Sequence, residues 1–300
     1  MAHLLPGHPE RPERVQAIRA RLASVPGLAA LPRLPITPAT DDALLRVHTQ
    51  DHLDRVAALC AAGGGHFDAD TYATPSSDAC ARVSAGGAVA AADAVAAGDC
   101  DAAFAVLRPP GHHATASRAM GFCLYNSVAV AIEHVRAERG IGRVAIVDID
   151  VHHGNGSQDT YWNDPGVLYT SLHQFPFYPG TGALDERGGP EAPGLTVNVP
   201  LPGGTAAPAW LAEFDGIVMP ALRGYEPELV VVSCGFDAHR DDPLAELLLA
   251  TETYAQVAER IASLGELAPA PRSAWILEGG YDLDALAAST QAVLDVLVRA

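Results

Sequence analysis

Short apolar runs alternate with longer segments of helical periodicity along most of this chain. The runs are Ala103–Leu107, Val144–Val147, Val167–Thr170, Leu195–Val199, Leu229–Ser233 and Trp275–Leu277. Helices are predicted over Arg11–Leu22, Val83–Ala97, Ser127–Glu138, Ala209–Leu222, Thr251–Leu264 and Leu283–Val298. Pro12 sits where a helix tolerates proline, at its start. Asp41-Asp42 is expected to cap a further short helix through Leu44, Leu45 and Val47. Continuous apolar runs suit strands buried on both faces, so the pattern predicts an α/β fold with a mostly parallel sheet covered on each side. No long linker, repeat or low-complexity tail interrupts it, and residues 1–300 read as one domain.

Polar residues then gather just past the apolar runs. His112-His113 follows the first, Asp148, Asp150 and His152 the second, Ser171 and His173 the third, Asp237 the fifth and Tyr281 the sixth. Open α/β sheets build their sites beyond the carboxyl ends of strands, so these ends point to one site. The densest stretch is Val147-Asp148-Ile149-Asp150-Val151-His152-His153-Gly154-Asn155-Gly156. Strand alternation is expected to put Asp148, Asp150 and His152 on one face, where carboxylate and imidazole can hold a divalent cation such as Zn²⁺. Asp237 offers a third ligand. Two Asp and one His leave a coordination position open for water and a substrate carbonyl. Neighbouring imidazoles at His112 and His113 suit general acid–base work. The Tyr281 hydroxyl, after Gly279-Gly280, suits a donor to a developing oxyanion.

Composition narrows the partners. The net charge is −17 and all 19 basic residues are Arg, which argues against a nucleic-acid face. An acidic field can attract a cationic substrate such as a basic peptide or a polyamine, although solubility accounts for it as well. No run reaches the ~20 uninterrupted apolar residues of a membrane span, and His3, Pro6, His8 and Pro9 break any apolar leader. Cys60, Cys80, Cys100, Cys123 and Cys234 form no C-x-x-C pair and read as free thiols in a reducing cytoplasm.

Taken in order, the segments Pro6–Arg14, Arg108–His113, Gly121–Cys123, Asp148–Gly156, Ser171–His173, Gly235–Ala238 and Glu278–Tyr281 resemble the zinc-dependent histone deacetylase superfamily. This includes bacterial histone-deacetylase-like amidohydrolases and acetylpolyamine amidohydrolases. The resemblance implies a three-layer α/β/α fold of the arginase/deacetylase type. It implies zinc on Asp150, His152 and Asp237, a histidine dyad at His112 and His113, and Tyr281 polarising the carbonyl. Asp148 would orient His112, and Asn155, where some members carry Asp, would orient His113 without adding charge, leaving it neutral. A potassium ion would be held around Asp148, Asp150, His152, Ser171 and Leu172. Gly121, Phe122 and Tyr178 match the acyl-lysine tunnel, and Asp70 a rim aspartate. Leu244 matches a rim position where an acidic residue favours polyamines in one eukaryotic member.

The expected reaction is hydrolysis of an N-acetyl-lysine-type amide to free amine and acetate. The alternatives are a deacetylase of acetylpolyamines or small amides, and a silent acyl-lysine-binding protein. A di-metal site of the arginase kind needs a second ligand cluster, for which no matching residues stand out. Relatives usually carry a strand before the Pro-Gly-His-Pro-Glu-Arg motif, whereas only Met1–Leu5 precede it here. That leaves either a misassigned start or a sheet short of a strand with a short first rim loop.

Overall fold

The computed structural model of the protein describes residues 3–266 and 272–299; Met1 and Ala2 lie outside them. Eight strands run in chain order: β1 (Gly65–His66), β2 (Tyr72–Ala73), β3 (Ala102–Ala105), β4 (Val144–Asp148), β5 (Val167–Gln174), β6 (Thr196–Leu201), β7 (Leu229–Cys234) and β8 (Arg272–Leu277). The first two form an antiparallel ribbon. The rest make one parallel sheet in the order β3-β8-β7-β4-β5-β6. The helices are α1 (Glu13–Ala23), α2 (Pro26–Ala29), α3 (Asp41–Leu44), α4 (Gln50–Ala61), α5 (Ser77–Ala97), α6 (Ser127–Arg139), α7 (Asn155–Tyr161), α8 (Ala207–Glu213), α9 (Met219–Tyr225), α10 (Thr251–Ala262) and α11 (Leu283–Leu297).

The runs Val144–Val147 and Leu229–Val232 are uninterrupted because each of these central strands feeds two cores. Val144 and Ile146 face the α5–α6 side with Val231 and Ile276, while Ala145 and Val147 face the α10–α11 side with Val232 and Trp275. Side chains alternate at period two, so a strand covered on both faces must be apolar at every position. Helices on both faces of a parallel sheet make the three-layer α/β/α architecture.

Several elements differ from the sequence expectation. Thr40, not Asp41-Asp42, caps α3 through its hydroxyl, and the helix stops at Leu44. The helix predicted over Ala209–Leu222 contains a π-helical turn, Phe214–Val218, between α8 and α9. Pro220 follows it; lacking an N–H, proline breaks regular α-helical bonding, and a wider turn accommodates the defect. Alternation holds only as far as Asp148, where β4 ends. Asp148 Oδ1 accepts from the Asp150 N–H and Asp150 Oδ1 from the His152 N–H, so the chain turns in two Asx-type steps instead of continuing as a strand. Helix α5 is long and apolar enough to cross a membrane by length and composition, yet it packs on α6 and the sheet. Its Asp93 pairs with Arg139.

A buried ion network ties the N-terminal segment to the sheet. Arg108 grips Glu10 with two hydrogen bonds of 2.8 and 2.6 Å, and Arg14 and His3 lie 3.6 and 3.4 Å from the same carboxylate. Burial pushes the Glu10 pKa up, but these partners outweigh it and hold the pKa at about 2 against an ordinary 4.5. Because the folded value is depressed, the network's stabilisation is complete above about 4.5 and drains away as pH falls towards about 2. Glu10→Gln should cost ~3–5 kcal/mol at neutral pH, since it leaves buried guanidinium groups uncompensated. Thermal melts of both proteins between pH 7 and pH 2 check this: the gap should close on acidification, and parallel curves would contradict it.

Candidate active site and metal centre

The turn after β4 and the loop after β7 bring Asp150, His152 and Asp237 together. Their ligand atoms lie within 4.8 Å of one another. His152 Nδ1 is 3.1 Å from Asp150 Oδ1 and 3.3 Å from Asp237 Oδ2. Three features fit a cation there. Asp237 Oδ1 accepts from the Val151 N–H, but its buried Oδ2 has no hydrogen-bond partner. Two carboxylates converge in a fully buried place, an arrangement that calls for positive charge. Gly235 and Gly279 leave the space open: a Cβ on the first would stand 2.1 Å from Asp150 Oδ2, and on the second 2.0 Å from Asp237 Oδ2. Among the described residues this is the one group of three or more His, Cys, Asp or Glu so arranged.

The loop after β3 delivers the histidine pair. His112 Nδ1 lies 3.0 Å from Asp148 Oδ2, and His113 Nδ1 lies 2.9 Å from Asn155 Oδ1, with ring centroids 4.0 Å apart. The two rings titrate in opposite directions. Burial opposes charge on His112, but the carboxylates of Asp148 and Asp150 overcome it and lift the pKa to about 10. Burial, with His112 and His152 alongside, pushes His113 well below the usual histidine value. The hydrogen bond to Asn155 works against that lowering without overcoming it.

Tyr281 enters from the loop after β8. Its ring lies under the Arg14 guanidinium at 4.8 Å and meets the Phe122 ring edge-on at 5.8 Å. Burial keeps its hydroxyl protonated far above the ordinary tyrosine range. A narrow cavity of about 230 Å³ joins these groups to solvent. Its lining includes His112, His113, Asp150, His152 and Tyr281 in the depths, with Gly121, Phe122, Tyr178, Asp70 and Leu244. Gly121 has φ +56°, and a Cβ there would come within 2.3 Å of His113 Cδ2, so glycine is required for the wall to approach the dyad.

The positions matched to potassium are less distinctive. Asp148 and Ser171 are register partners across β4 and β5, and Leu172 follows in β5. Ser171 Oγ is bonded to His173 Nδ1 at 2.9 Å. That arrangement does not by itself identify an alkali cation. His153 and His173 are buried braces, the former bonded to Thr181 and Gln158 and the latter to Gly182.

Three participants were not singled out from sequence. Phe177 stacks on the His152 ring at 5.4 Å and lines the cavity; its place beside Tyr178 between two prolines was the available hint. Glu278 is buried and accepts from the N–H groups of Gly111 at 2.6 Å and His112 at 3.2 Å, fixing the backbone that carries the dyad. Burial lifts its pKa to about 7. Asp242 accepts from the Tyr281 N–H at 2.6 Å. A charged residue one step past a buried strand signals Glu278, but nothing in one chain's residue order says which distant amides a carboxylate will reach.

Comparison with known proteins agrees with this geometry. The histone deacetylase domain profile matches residues 8–297. A probable deacetylase of Methanothermobacter thermautotrophicus is 41% identical over 256 residues, covering 84% of this chain and 75% of that protein. A histone deacetylase-like amidohydrolase of Pseudomonas aeruginosa is 42% identical over 246 residues, 81% of this chain and 64% of that protein, so just under two thirds of its length is spanned. The crystal structure of the HDA15 HD domain superposes with a TM-score of 0.92 at 40% identity, covering 99% of this chain and 87% of that one. A profile match over nearly the whole sequence, and a shared backbone at this identity, place the chain in the histone deacetylase family of hydrolases.

Proposed function

We propose that this protein is a deacetylase that uses one divalent cation, zinc, to hydrolyse N-ε-acetyl-lysine-type amides. Water adds across the amide bond, which breaks to free amine and acetate. The observation that carries the reading is that the Asp150–His152–Asp237 cradle, whose Asp150 and His152 line one narrow cavity, meets the His112–His113 pair and Tyr281 there. A bound divalent ion would supply Lewis-acid polarisation of the carbonyl and acidify a nearby water.

The chain's own groups do the rest. The linear side chain of acetyl-lysine threads between Gly121, Phe122, Phe177 and Tyr178, whose apolar surfaces exclude water from its methylenes. His113 donates its Nδ1–H to Asn155 Oδ1, which leaves Nε2 with a lone pair able to take the water proton. The Tyr281 hydroxyl donates to the carbonyl oxygen as negative charge grows there. His112, with Nδ1 against Asp148, holds positive charge beside the departing nitrogen, and the dyad returns a proton to it. Glu278 keeps both histidines at one depth by gripping the backbone before them.

Substrate size and charge follow from the mouth. Asp70 is exposed at the rim and can accept backbone N–H groups of a peptide. Leu244, facing the same cavity, is apolar where a polyamine would want a carboxylate. This favours acetyl-lysine peptides over acetylated polyamines, and the five free cysteines favour work in the reducing cytoplasm.

The test combines metal and substrate. Chelation should abolish turnover, and adding back Zn²⁺ should restore it. The reloaded enzyme should show a kcat/KM at least ~10-fold higher for an acetyl-lysine peptide than for acetylputrescine, about 1.4 kcal/mol of discrimination. Turnover that survives complete metal removal would overturn the metal assignment; preference for acetylputrescine would overturn the substrate.

A further inference from the structure

One buried carboxylate ties the mouth of the cavity to the loop that carries Tyr281. Asp242 is 7% exposed. Its Oδ2 accepts from the N–H groups of Tyr281 at 2.6 Å and Asp282 at 3.2 Å, while Oδ1 accepts from the N–H of Leu244 at 3.0 Å. Leu244 and Tyr281 both line the cavity. Both oxygens of Asp242 are therefore spent on backbone that shapes it. Its own N–H donates to His239 O at 2.9 Å, and the His239 side chain is bonded to Thr251 at 3.3 Å and to the Asp241 N–H at 3.2 Å.

The rest of the Tyr281 loop is held elsewhere. The Gly279 N–H goes to Asp150 Oδ2 at 2.8 Å, and Arg14 donates to the carbonyls of Gly280 and Glu278. Those bonds secure residues 278–280. Gly280 then adopts φ +111°, a conformation in which glycine turns freely. Past that pivot, Asp242 holds the amides of Tyr281 and Asp282, and the Asp282 side chain is occupied capping α11. Rotation about Gly280 would swing the phenol along the cavity.

We propose that Asp242 is a positioning residue for the hydrolysis, setting the depth of the Tyr281 hydroxyl relative to the cavity mouth by gripping both loops at once. The proposal deepens the reading given above and rests on it for the role of Tyr281. With both oxygens accepting from backbone N–H groups of two loops, the carboxyl group fixes geometry that a side chain with a single acceptor would leave loose. Asparagine has nearly the same volume but only one acceptor oxygen. Its amide nitrogen would have to face an N–H of one loop or the other.

The test is a double-mutant cycle on the zinc-loaded enzyme with an acetyl-lysine peptide. Asp242→Asn should lower kcat by ~10–100-fold, the penalty of a displaced reacting group, with KM within about twofold and metal content unchanged. In a Tyr281→Phe background the same change should cost less than about twofold, because residues acting as a unit do not add. Equal losses in both backgrounds would overturn the proposal. So would an unchanged kcat in Asp242→Asn while Tyr281→Phe is impaired.

Amide hydrogen exchange gives a readout independent of turnover. Asp242→Asn should speed exchange at Tyr281, Asp282 and Leu244 by ~10-fold or more while β4 stays protected. Should Tyr281→Phe prove fully active, the assigned role of Tyr281 fails; exchange still decides whether Asp242 holds the loop, and unchanged exchange refutes that too. If Asp242→Asn does not fold, Asp242→Glu, which keeps both acceptor oxygens but displaces them by a methylene, enters the same cycle and is judged by the same outcomes.

Discussion

Replacing His113 by alanine should lower kcat by ~10²–10⁴-fold, the range that a positioned general base contributes. The argument rests on where the ring is held. Its Nδ1 is engaged by Asn155 at 2.9 Å, and Gly121 comes so close that a single added Cβ would strike it. The ring therefore has one orientation, with Nε2 left for the proton of the attacking water. His113 belongs to neither the Asp150–His152–Asp237 group nor the outer rim. Metal content and KM should stay close to wild type, so the loss should fall on kcat and kcat/KM alike, as for a group that acts only in the transition state. Steady-state kinetics beside metal analysis of the purified variant checks this. A His113→Ala enzyme with full kcat would remove the base from the mechanism, and one that has lost its metal would show that His113 supports the cradle instead.

Tyr281→Phe should cost ~10²–10³-fold in kcat, about 3–4 kcal/mol, which is what removal of one oxyanion donor typically takes. This change isolates the hydroxyl. Phenylalanine keeps the ring against Phe122 and beneath Arg14, so the wall of the cavity and the backbone bonds to Asp242 should survive. Because the carbonyl oxygen gains charge only as water adds, KM should move little. Stopped assays long enough to resolve a thousandfold loss, with exchange protection at the loop as a control, distinguish a missing donor from a displaced loop. Wild-type kcat in this variant would mean that the bound cation polarises the carbonyl unaided.

Much of this molecule is readable from residue order. Val144–Val147 and Leu229–Val232 are apolar at every step, and they lie in the middle of the sheet with a core on each side. The helix over Ser127–Glu138 is capped by Asn126 and ends within a residue of its expected limit. Asp150, His152 and Asp237 are legible as candidate ligands because carboxylate and imidazole gather directly after buried strands. Other features escaped. The π-helical turn before Pro220 depends on how the rest of that helix packs. Helix α4 has a clear apolar face over Leu53, Val56 and Cys60 and a Thr49 cap, yet it was not anticipated. Glu278 and Asp242 look like ordinary loop acids until the loops they grip are in place.

Local order of side chains dictates which segments must be buried and which atoms can bind a cation or move a proton, since alternation, capping and ligand chemistry are properties of neighbours in the chain. That made the α/β layering readable and pointed to Asp150, His152, Asp237, His112, His113 and Tyr281 as candidates. Partners 39 to 266 positions away are a different matter. Glu278 with Gly111 and Asp242 with Tyr281 meet because the sheet order β3-β8-β7-β4-β5-β6 brings the carboxyl ends of separate strands to one edge, and Arg14 reaches Gly280 from α1, which packs on α11. Only that assembly decides the depth and orientation of the reacting groups, because the energy of a hydrogen bond depends on distance and angle, and no stretch of chain encodes those alone.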